Sequence, residues 1–269
     1  MNELTLSEVD DQFTVTLARG MQILLAFSTS QPVLTNAGLV AITGLNKATV
    51  SRLAFTLIEL GYLRREGARN GYSLDTAVLA LGYPLLASLH IRQVARSFMR
   101  ELGERVRGTV SICVRDRDCI AYLDSAREID AGTPLVDIGS TLPLVASAGG
   151  RAWLAAVDAN QRKAVLNKLR LQNPDFVDAN MTEIEKATAH VQRHGFCVNR
   201  GAYDPRRVAV AVPMSKPLNG ELIVFSCSLL TEESQRMARA REVGYELRAM
   251  VRMVESAIGM RLPPAGQDS

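Results

Sequence analysis

A predicted helix that begins at Asn46 carries the clearest candidate chemistry in the sequence. Its apolar residues recur at helical spacing and form one buried stripe, made of Val50, Leu53, Ala54, Leu57 and Leu60. The opposite face has short hydrogen-bonding groups and two cations, with no acid before Glu59: Lys47, Thr49, Ser51, Arg52 and Thr56. DNA base edges and phosphates are recognised by such donors, and a carboxylate would repel the phosphates. This pattern favours a helix that lies in a DNA major groove over an ordinary solvated helix.

A second group of residues could bind a small molecule. The loop Ala146–Gly150 is rich in small residues and precedes a predicted helix that contains Trp153. Small residues let a ligand approach backbone N–H groups at a helix N-terminus. They also permit tight packing of a helix on a sheet, and the sequence supports both interpretations equally.

Catalytic chemistry finds little support. The sequence has no G-x-S-x-G elbow, P-loop or dinucleotide fingerprint. His190 and His194 lie one helical turn apart, but no Glu follows His190 as in the H-E-x-x-H zinc motif, so surface histidines are the better interpretation. We therefore predict that the chain is not an enzyme, with no catalytic residues, no metal site and no cofactor.

The predicted elements on either side of the Asn46 helix complete a recognisable motif. A helix is predicted from Leu17 to Phe27, and a second short helix is capped by Thr35 and ended by Gly44. After the Asn46 helix come two strand-like runs, Tyr62–Arg65 and Gly71–Leu74, that predict a hairpin. Three cations lie on or near it, as a wing that contacts phosphates requires: Arg64, Arg65 and Arg69. This order of elements is that of a winged helix-turn-helix.

Charge and composition agree with this motif. The net charge is +3, but residues 16–74 hold six Lys or Arg against two Glu, whereas residues 1–15 carry four acids. A locally basic domain is typical of nucleic-acid binding.

No apolar stretch approaches 18 residues and the N-terminus is acidic, so we predict a cytoplasmic protein without membrane contact. The cysteines lack zinc spacing and are predicted to be reduced core residues: Cys113, Cys119, Cys197 and Cys227.

Residues 91–258 predict a second, mixed domain. Thr109–Arg115 and Cys119–Asp124 suggest a hairpin, and Thr182 to Glu185 fits a capping box that opens a helix closed by Gly195. Further strands are predicted at Phe196–Asn199, Val208–Val212 and Glu221–Ser228, and Thr231 is predicted to cap a final helix that ends near Gly259. Such an alternation describes a sheet covered by helices.

Several motifs, in order and spacing, resemble the IclR family of bacterial regulators. They are Thr43–Leu53 with Thr56–Leu63, Leu81-Gly82, His90–Arg96 with Leu102, Gly139–Leu154, Gly195–Gly201 and Val208–Pro213. The resemblance covers about residues 16 to 259. It implies an α+β chain with an N-terminal winged helix-turn-helix domain, a linker helix and a C-terminal GAF-like α/β effector-binding domain. It also implies homodimers that assemble into homotetramers, and a small carboxylate effector, aromatic acids included.

The motif and the resemblance together give the predicted site residues. The DNA-binding set is Arg19, Asn46, Lys47, Ala48, Thr49, Ser51, Arg52, Arg64 and Arg65. The effector-binding set, implied by the resemblance, is Leu142, Ala148, Gly149, Asn199, Ala209, Ser226 and Ser228.

The sequence departs from the family pattern at Ala202, where an acid is usual, and at Arg206 and Ala209, where a glycine and a cysteine are common. The Arg206-Arg207 pair could bind an anionic effector or lie in solvent.

The expected organisation is a flexible arm (1–15), the winged domain (16–75), a linker helix (76–90), the effector domain (91–260) and a disordered tail (261–269). Pro84 is expected either to kink the linker helix as a hinge or to break it into two packed pieces.

The predicted function is sequence-specific binding of double-stranded operator DNA, as a repressor rather than an activator, modulated by a metabolite. The alternative is a GAF-like sensor or enzyme whose winged domain contacts proteins.

Overall fold

The chain folds into two compact units. A computed structural model describes residues 13–67, 70–127, 137–200, 206–230 and 236–260. The N-terminal unit extends to Ser88 and the C-terminal unit begins at Leu89. Each unit has a hydrophobic core of its own.

The N-terminal unit is built from helices around a small antiparallel sheet. Its elements, in chain order, are α1 (Val15–Leu25), β1 (Leu34–Thr35), α2 (Asn36–Thr43), α3 (Lys47–Glu59), β2 (Leu63–Glu66), β3 (Gly71–Leu74) and α4 (Ala77–Ser88). The strands lie in the order β1-β3-β2. The core joins Ile23 of α1 and Leu39 of α2 to four residues of the predicted stripe of α3, so α1 and α2 hold α3 with one face inward. The fifth predicted residue, Leu60, follows the last residue of α3 and is 60% exposed, so its predicted burial is wrong.

Local signals set most of these boundaries. Thr35 caps α2 by accepting a hydrogen bond from the Gly38 N–H, and Gly44 ends α2 in the left-handed conformation, with φ of 70°. The winged helix-turn-helix order is confirmed.

Two details differ from the sequence prediction: α1 lies two residues earlier than the predicted Leu17–Phe27 helix, and β1 was not predicted because a two-residue strand has no periodicity.

Helix α4 continues through its proline. Pro84 lies inside the helix, which ends only at Ser88, so the expected break into two pieces at this residue is wrong. The alternative, a kink at Pro84, stays a prediction. No residue of α4 is buried, although the helix is strongly apolar; its large exposed side chains are Leu79, Leu81, Tyr83 and Leu85. The helix therefore presents an apolar surface.

The C-terminal unit is a six-stranded sheet with helices on both faces. Its elements are α5 (His90–Val106), β4 (Gly108–Asp116), β5 (Cys119–Arg127), β6 (Thr141–Pro143), α6 (Ala148–Ala156), α7 (Ala159–Gln172), α8 (Pro174–His194), β7 (Cys197–Arg200), β8 (Arg207–Pro213), β9 (Val224–Leu230) and α9 (Arg236–Ala257). The strand order is β6-β5-β4-β9-β8-β7, and each neighbouring pair is antiparallel. The predicted α+β class is confirmed.

Alternation along the strands divides the side chains between two cores. Val110, Ile112 and Phe225 point towards α5 and α9 and belong to one core. Cys113 and Val224, which lie on the other face, pack under α6 and α8 in the second core. The α6-facing side is the one that carries most of the predicted effector residues.

Several sequence predictions for this unit need correction. Thr182 does not begin a helix, because α8 starts at Pro174, where Asn173 caps it by accepting from the Phe176 N–H. Helix α7 was not predicted at all. The predicted strand at Glu221–Ser228 begins only at Val224, and the predicted cap Thr231 lies outside the described residues.

Within the described residues, no single helix has both the length and the apolar character that crossing a membrane requires; α4 and α5 reach them only as a pair. The four cysteines are free thiols, and Cys119 is half-buried rather than in the core. Among the described residues, no three His, Cys, Asp or Glu side chains are grouped to hold a metal ion.

Candidate functional site

Helix α3 presents a polar face that its own cap and core fix in place. Asn46 Oδ1 accepts a hydrogen bond of 2.8 Å from the Thr49 N–H, so the helix begins where the sequence predicts. The side chains on the outer face are exposed at Asn46, Lys47, Ala48, Ser51 and Arg52, and Thr49 is half-buried. The structure therefore places six of the nine predicted DNA-binding residues on the cap and the first turns of α3, within about two turns of helix.

One of these side chains is held by the preceding helix. The Asn36 Nδ2 group in the first turn of α2 donates a 2.9 Å hydrogen bond to Ser51 Oγ. The Asn36 Oδ1 atom is buried and has no hydrogen-bond partner among the described residues. Because Ser51 accepts this bond, its own hydroxyl hydrogen remains available to donate.

The wing places its two described arginines in different surroundings. Arg64 Nε donates to Glu66 Oε1 and to Ser73 Oγ, both at 3.0 Å, so a carboxylate balances part of its charge. The Arg65 guanidinium lies 5.9 Å from the centre of the Tyr72 ring. Arg65 is thus the better placed of the two for a phosphate. The third predicted wing cation, Arg69, lies outside the described residues.

Arg19 lies on α1, where the sequence predicts it, and is half-buried. Two features of this unit were not predicted from the sequence: Phe55 is 57% exposed on the outer side of α3, and Glu66 pairs with Arg64. An aromatic residue on an otherwise polar helix face was a visible signal, since apolar groups can contact a thymine methyl. The Arg64–Glu66 pair could have been inferred from their i,i+2 spacing on a strand.

The C-terminal unit brings four predicted effector residues together. Asn199 on β7 is paired with Ala209 on β8, and Ala209 is paired with Ser228 on β9. Ser226 lies two residues from Ser228 on the same sheet face. Asn199 Nδ2 donates a 2.6 Å bond to the Ala146 carbonyl, which fastens β7 to the turn before α6.

Ala148 and Gly149 form the first turn of α6, capped by Ser147, whose Oγ accepts from the Gly150 N–H. A Cβ atom at Gly149 would come within 2.9 Å of Cys113 Sγ. The small residues of this loop therefore permit close packing of α6 on the sheet. Their predicted ligand contact stays a prediction.

The buried cysteines beside this turn act as hydrogen-bond donors. Cys113 Sγ donates to the Val224 carbonyl at 3.3 Å and Cys197 Sγ to the Ala148 carbonyl at 3.1 Å. Burial raises the pKa of both thiols, that of Cys197 to about 12. Both therefore remain protonated at neutral pH, and neither offers a thiolate for catalysis.

The remaining predicted residues lie apart from this group or at its border. Leu142 is on β6, the opposite edge strand from that of Asn199. Arg206 is exposed. Arg207, in contrast, is half-buried, and its Nη1 lies 3.5 Å from Ser228 Oγ. The two neighbouring arginines therefore differ in their surroundings, and only Arg207 is seen to lie beside the predicted effector residue Ser228.

Two family models together match most of the chain. The model of the IclR helix-turn-helix domain matches residues 16–67, and the model of the C-terminal domain of the bacterial transcriptional regulator IclR matches residues 84–261. These matches cover α1 to α3 with β2, and the whole sheet of the C-terminal unit. The chain therefore contains both domains of this family.

Individual relatives agree. The HTH-type transcriptional regulator TsaQ1/TsaQ2 of Comamonas testosteroni is 32% identical over 251 residues, which are 92% of this chain and 90% of that protein. The Pca regulon regulatory protein of Pseudomonas putida is 26% identical over 209 residues, 76% of this chain and 70% of the relative. The crystal structure of an IclR family transcriptional regulator from Brucella abortus superposes with a TM-score of 0.78, at 34% identity and 97% coverage of both chains. This chain belongs to the IclR family of transcriptional regulators, with a DNA-binding domain and an effector-binding domain.

Proposed function

We propose that this chain binds a specific operator sequence in double-stranded DNA and that α3 is its recognition helix. The observation that carries the proposal is the outer face of α3, where Lys47, Ser51 and Arg52 are exposed and no carboxylate lies among them. Arginine and lysine suit guanine edges, and serine suits either base edges or phosphates. Arg19 and the wing arginines Arg64 and Arg65 would contact the DNA backbone on either side.

The proposal includes a homodimer. A palindromic operator is read by two recognition helices, one from each subunit, so the chain needs a contact between copies. The exposed apolar side chains of α4 support such a contact, because a monomeric protein rarely leaves several large apolar residues in solvent on one short helix. Pairing of such dimers would give the tetramer that the family resemblance implies.

Control of DNA binding is assigned to a small carboxylate effector bound on the α6-facing side of the sheet. Asn199, Ala209, Ser226 and Ser228 lie side by side there, next to the first turn of α6, whose N–H groups favour an anion. The effector would act by binding one conformation of the dimer better than another, a coupling of typically about 1–3 kcal/mol.

The test is fluorescence-anisotropy binding of the full-length chain to the promoter region beside its own gene. It is repeated across salt concentrations and against an unrelated duplex of equal length. We expect tight binding that prefers the promoter and weakens steeply with salt, since phosphate contacts release counterions. Equal, weak binding to both duplexes would contradict the proposal and favour a sensor or enzyme whose winged domain contacts proteins.

The sign of regulation is tested separately. In this proposal the bound chain represses transcription, so a promoter–reporter strain that lacks the chain should show higher expression. Lower expression in that strain would make the chain an activator and leave the DNA-binding proposal intact.

A further inference from the structure

Two hydroxyl groups on the outer face of α3 differ in how their hydrogens are used. Thr56 Oγ1 donates a 3.1 Å bond to the Arg52 carbonyl one turn earlier, as hydroxyls inside helices often do. Ser51 makes no such bond among the described residues, and its Oγ instead accepts from Asn36 Nδ2 of α2 at 2.9 Å. The Ser51 hydroxyl hydrogen therefore has no acceptor within the described part of the chain.

Ser51 lies in the middle of the proposed recognition face. Lys47 is one helical turn before it and Phe55 one turn after it, and all three side chains are exposed. A serine in a major groove is ambiguous, because its hydroxyl can donate to purine N7, guanine O6 or thymine O4 and can also accept from adenine N6 or cytosine N4. A neighbour that fixes the direction of the hydroxyl would remove this ambiguity.

Asn36 occupies its position at a cost to the folded protein. It is the first residue of α2, and its Oδ1 atom is buried with no hydrogen-bond partner among the described residues. An unpaired buried oxygen lowers stability, and alanine would avoid this cost and favour the helix more strongly. Residues that reduce stability in this way are expected at functional positions, and the side chain of Asn36 reaches the recognition face.

We propose that Asn36 is a positioning residue for operator recognition. Its Nδ2 group occupies a lone pair of Ser51 Oγ and leaves the hydroxyl hydrogen directed at the DNA. Ser51 then acts as a hydrogen-bond donor and recognises an acceptor in the major groove, which is purine N7, guanine O6 or thymine O4. The inference rests on the proposed function, because it requires that α3 lies in the major groove.

A purely structural role for Asn36 has different consequences. If the bond to Ser51 only braced α3 against α2, its direction would not matter, and aspartate, which has the same size, could accept from Ser51 in place of asparagine. If the direction matters, aspartate fails, because Ser51 would donate its hydrogen to the carboxylate and present only lone pairs to the DNA. Asn36→Asp therefore distinguishes the two roles.

The experiment measures anisotropy binding of the full-length chain to the promoter duplex, with its half-sites located by footprinting. A set of duplexes, each with one substituted base pair in a half-site, gives the preference at every position. Ser51→Ala identifies the base pair that Ser51 reads, where the preference should fall by about three- to tenfold, the range for one hydrogen bond. Asn36→Ala and Asn36→Asp should each lose preference at that same base pair and at no other. The added charge of Asn36→Asp weakens binding to all duplexes alike, so it does not alter the preference.

Three further measurements separate positioning from folding. The double variant N36A/S51A should lose no more preference than Ser51→Ala alone, because Asn36 acts only through Ser51. Ser30→Ala removes a 3.0 Å bond between the Ser28 and Ser30 hydroxyls, outside α2 and α3, and should leave every preference unchanged. Hydrogen exchange at the buried amides of α3 should be no faster in Asn36→Ala than in the parent chain, since this variant removes the unpaired oxygen.

The inference is overturned if Ser51→Ala changes no base preference, or if Asn36→Ala or Asn36→Asp keeps the preference of the parent chain. A double variant that loses more preference than Ser51→Ala also overturns it. The parent chain separates this failure from failure of the proposed function. If the parent prefers the promoter and the Asn36 variants read it equally well, only the inference falls. If the parent shows no promoter preference, operator recognition falls and the inference with it.

Discussion

The two units place their candidate sites in opposite environments. In the N-terminal unit the DNA-binding face of α3 is exposed, and six of its residues fall between Asn46 and Arg52. In the C-terminal unit the candidate effector site is largely buried and draws on residues from Ala148 to Ser228. The exposed site can therefore be changed with little effect on folding. The buried site shares its residues with the structure that holds the sheet together.

This difference predicts how substitutions divide between stability and binding. Surface changes usually alter the free energy of unfolding by less than about 0.5 kcal/mol, so on α3 their effects should appear in DNA affinity alone. Changes at buried positions of the C-terminal unit should alter stability as well, because breaking a buried polar pair or a close backbone contact is costly. The variants below test this division, from the largest expected effect to the smallest.

The largest effect is expected at the ion pair between α5 and β5. Arg92 Nε lies 3.5 Å from Asp124 Oδ2, and the two side chains are 16% and 5% exposed. Arg92→Ala would leave the buried Asp124 carboxylate without its cation, which typically costs about 3–5 kcal/mol. Denaturant unfolding followed by Trp153 fluorescence measures the loss. Arg96→Ala, one turn further along α5 and exposed, is the matched control and should be nearly neutral; a similarly small loss for Arg92→Ala would contradict the prediction.

A comparable effect is expected at the close contact of α6 with the preceding turn. A Cβ atom at Gly150 would collide with the Leu144 carbonyl oxygen, so the backbone must move. Gly150→Ala should lower the free energy of unfolding by about 3 kcal/mol, the upper end of the usual range for overpacking. Gly82→Ala on α4, where a Cβ meets nothing within 4 Å, should be neutral or slightly stabilising. Equal stability of the two variants would show that α6 is not tightly packed.

The same contrast explains how far the sequence could predict the structure. The caps Thr35 and Asn46 and the terminator Gly44 are local signals, and α2 and α3 begin and end where they indicate. Thr182 has the same local pattern but lies inside α8. There Val177 and Ile184 continue one buried stripe, and Pro174, favoured in the first helical turn, gives a better start. Packing across the helix overrode the local capping motif.

The two candidate sites also differ in how far the sequence could predict them. The polar face of α3 follows from periodicity alone, whereas the predicted effector residues meet through contacts between distant parts of the chain, such as the bond from Asn199 to the Ala146 carbonyl and the pairing of Ala209 with Ser228. No local pattern encodes such a pairing. Arg207 illustrates the point: the sequence left its role open, and strand alternation on β8 places it on the same face as Ala209, beside Ser228.

At the exposed site, Arg52→Ala should change DNA binding without changing stability. If Arg52 contacts a base edge, the variant should lose about 1–3 kcal/mol of affinity for the promoter and little for an unrelated duplex. If it contacts only phosphate, both duplexes should lose affinity alike and the salt dependence should become shallower. Anisotropy titrations of both duplexes distinguish these results. Unchanged affinity for both would remove Arg52 from the DNA-binding face.

The smallest effect concerns pH, and it should be confined to one unit, because His90, His190 and His194 all follow Ser88. The pKa of His194 is lowered, first by partial burial and then by the positive charges of His190, Arg193, Arg241 and Arg248. A histidine whose pKa is lower in the folded state binds its proton less well there than in the unfolded chain. Its contribution to stability is therefore present above the unfolded value of about 6.5 and is lost as the pH falls below it.

We accordingly expect the C-terminal unit to become less stable between pH 7.5 and pH 5.5, and His194→Gln to make this decline shallower. Denaturant unfolding followed by Trp153 fluorescence at each pH measures the C-terminal unit. Hydrogen exchange at the buried amides of α3, corrected for the intrinsic pH dependence of exchange, provides the internal comparison and should show no corresponding step. A decline as steep in His194→Gln as in the parent chain would assign the pH dependence to other groups.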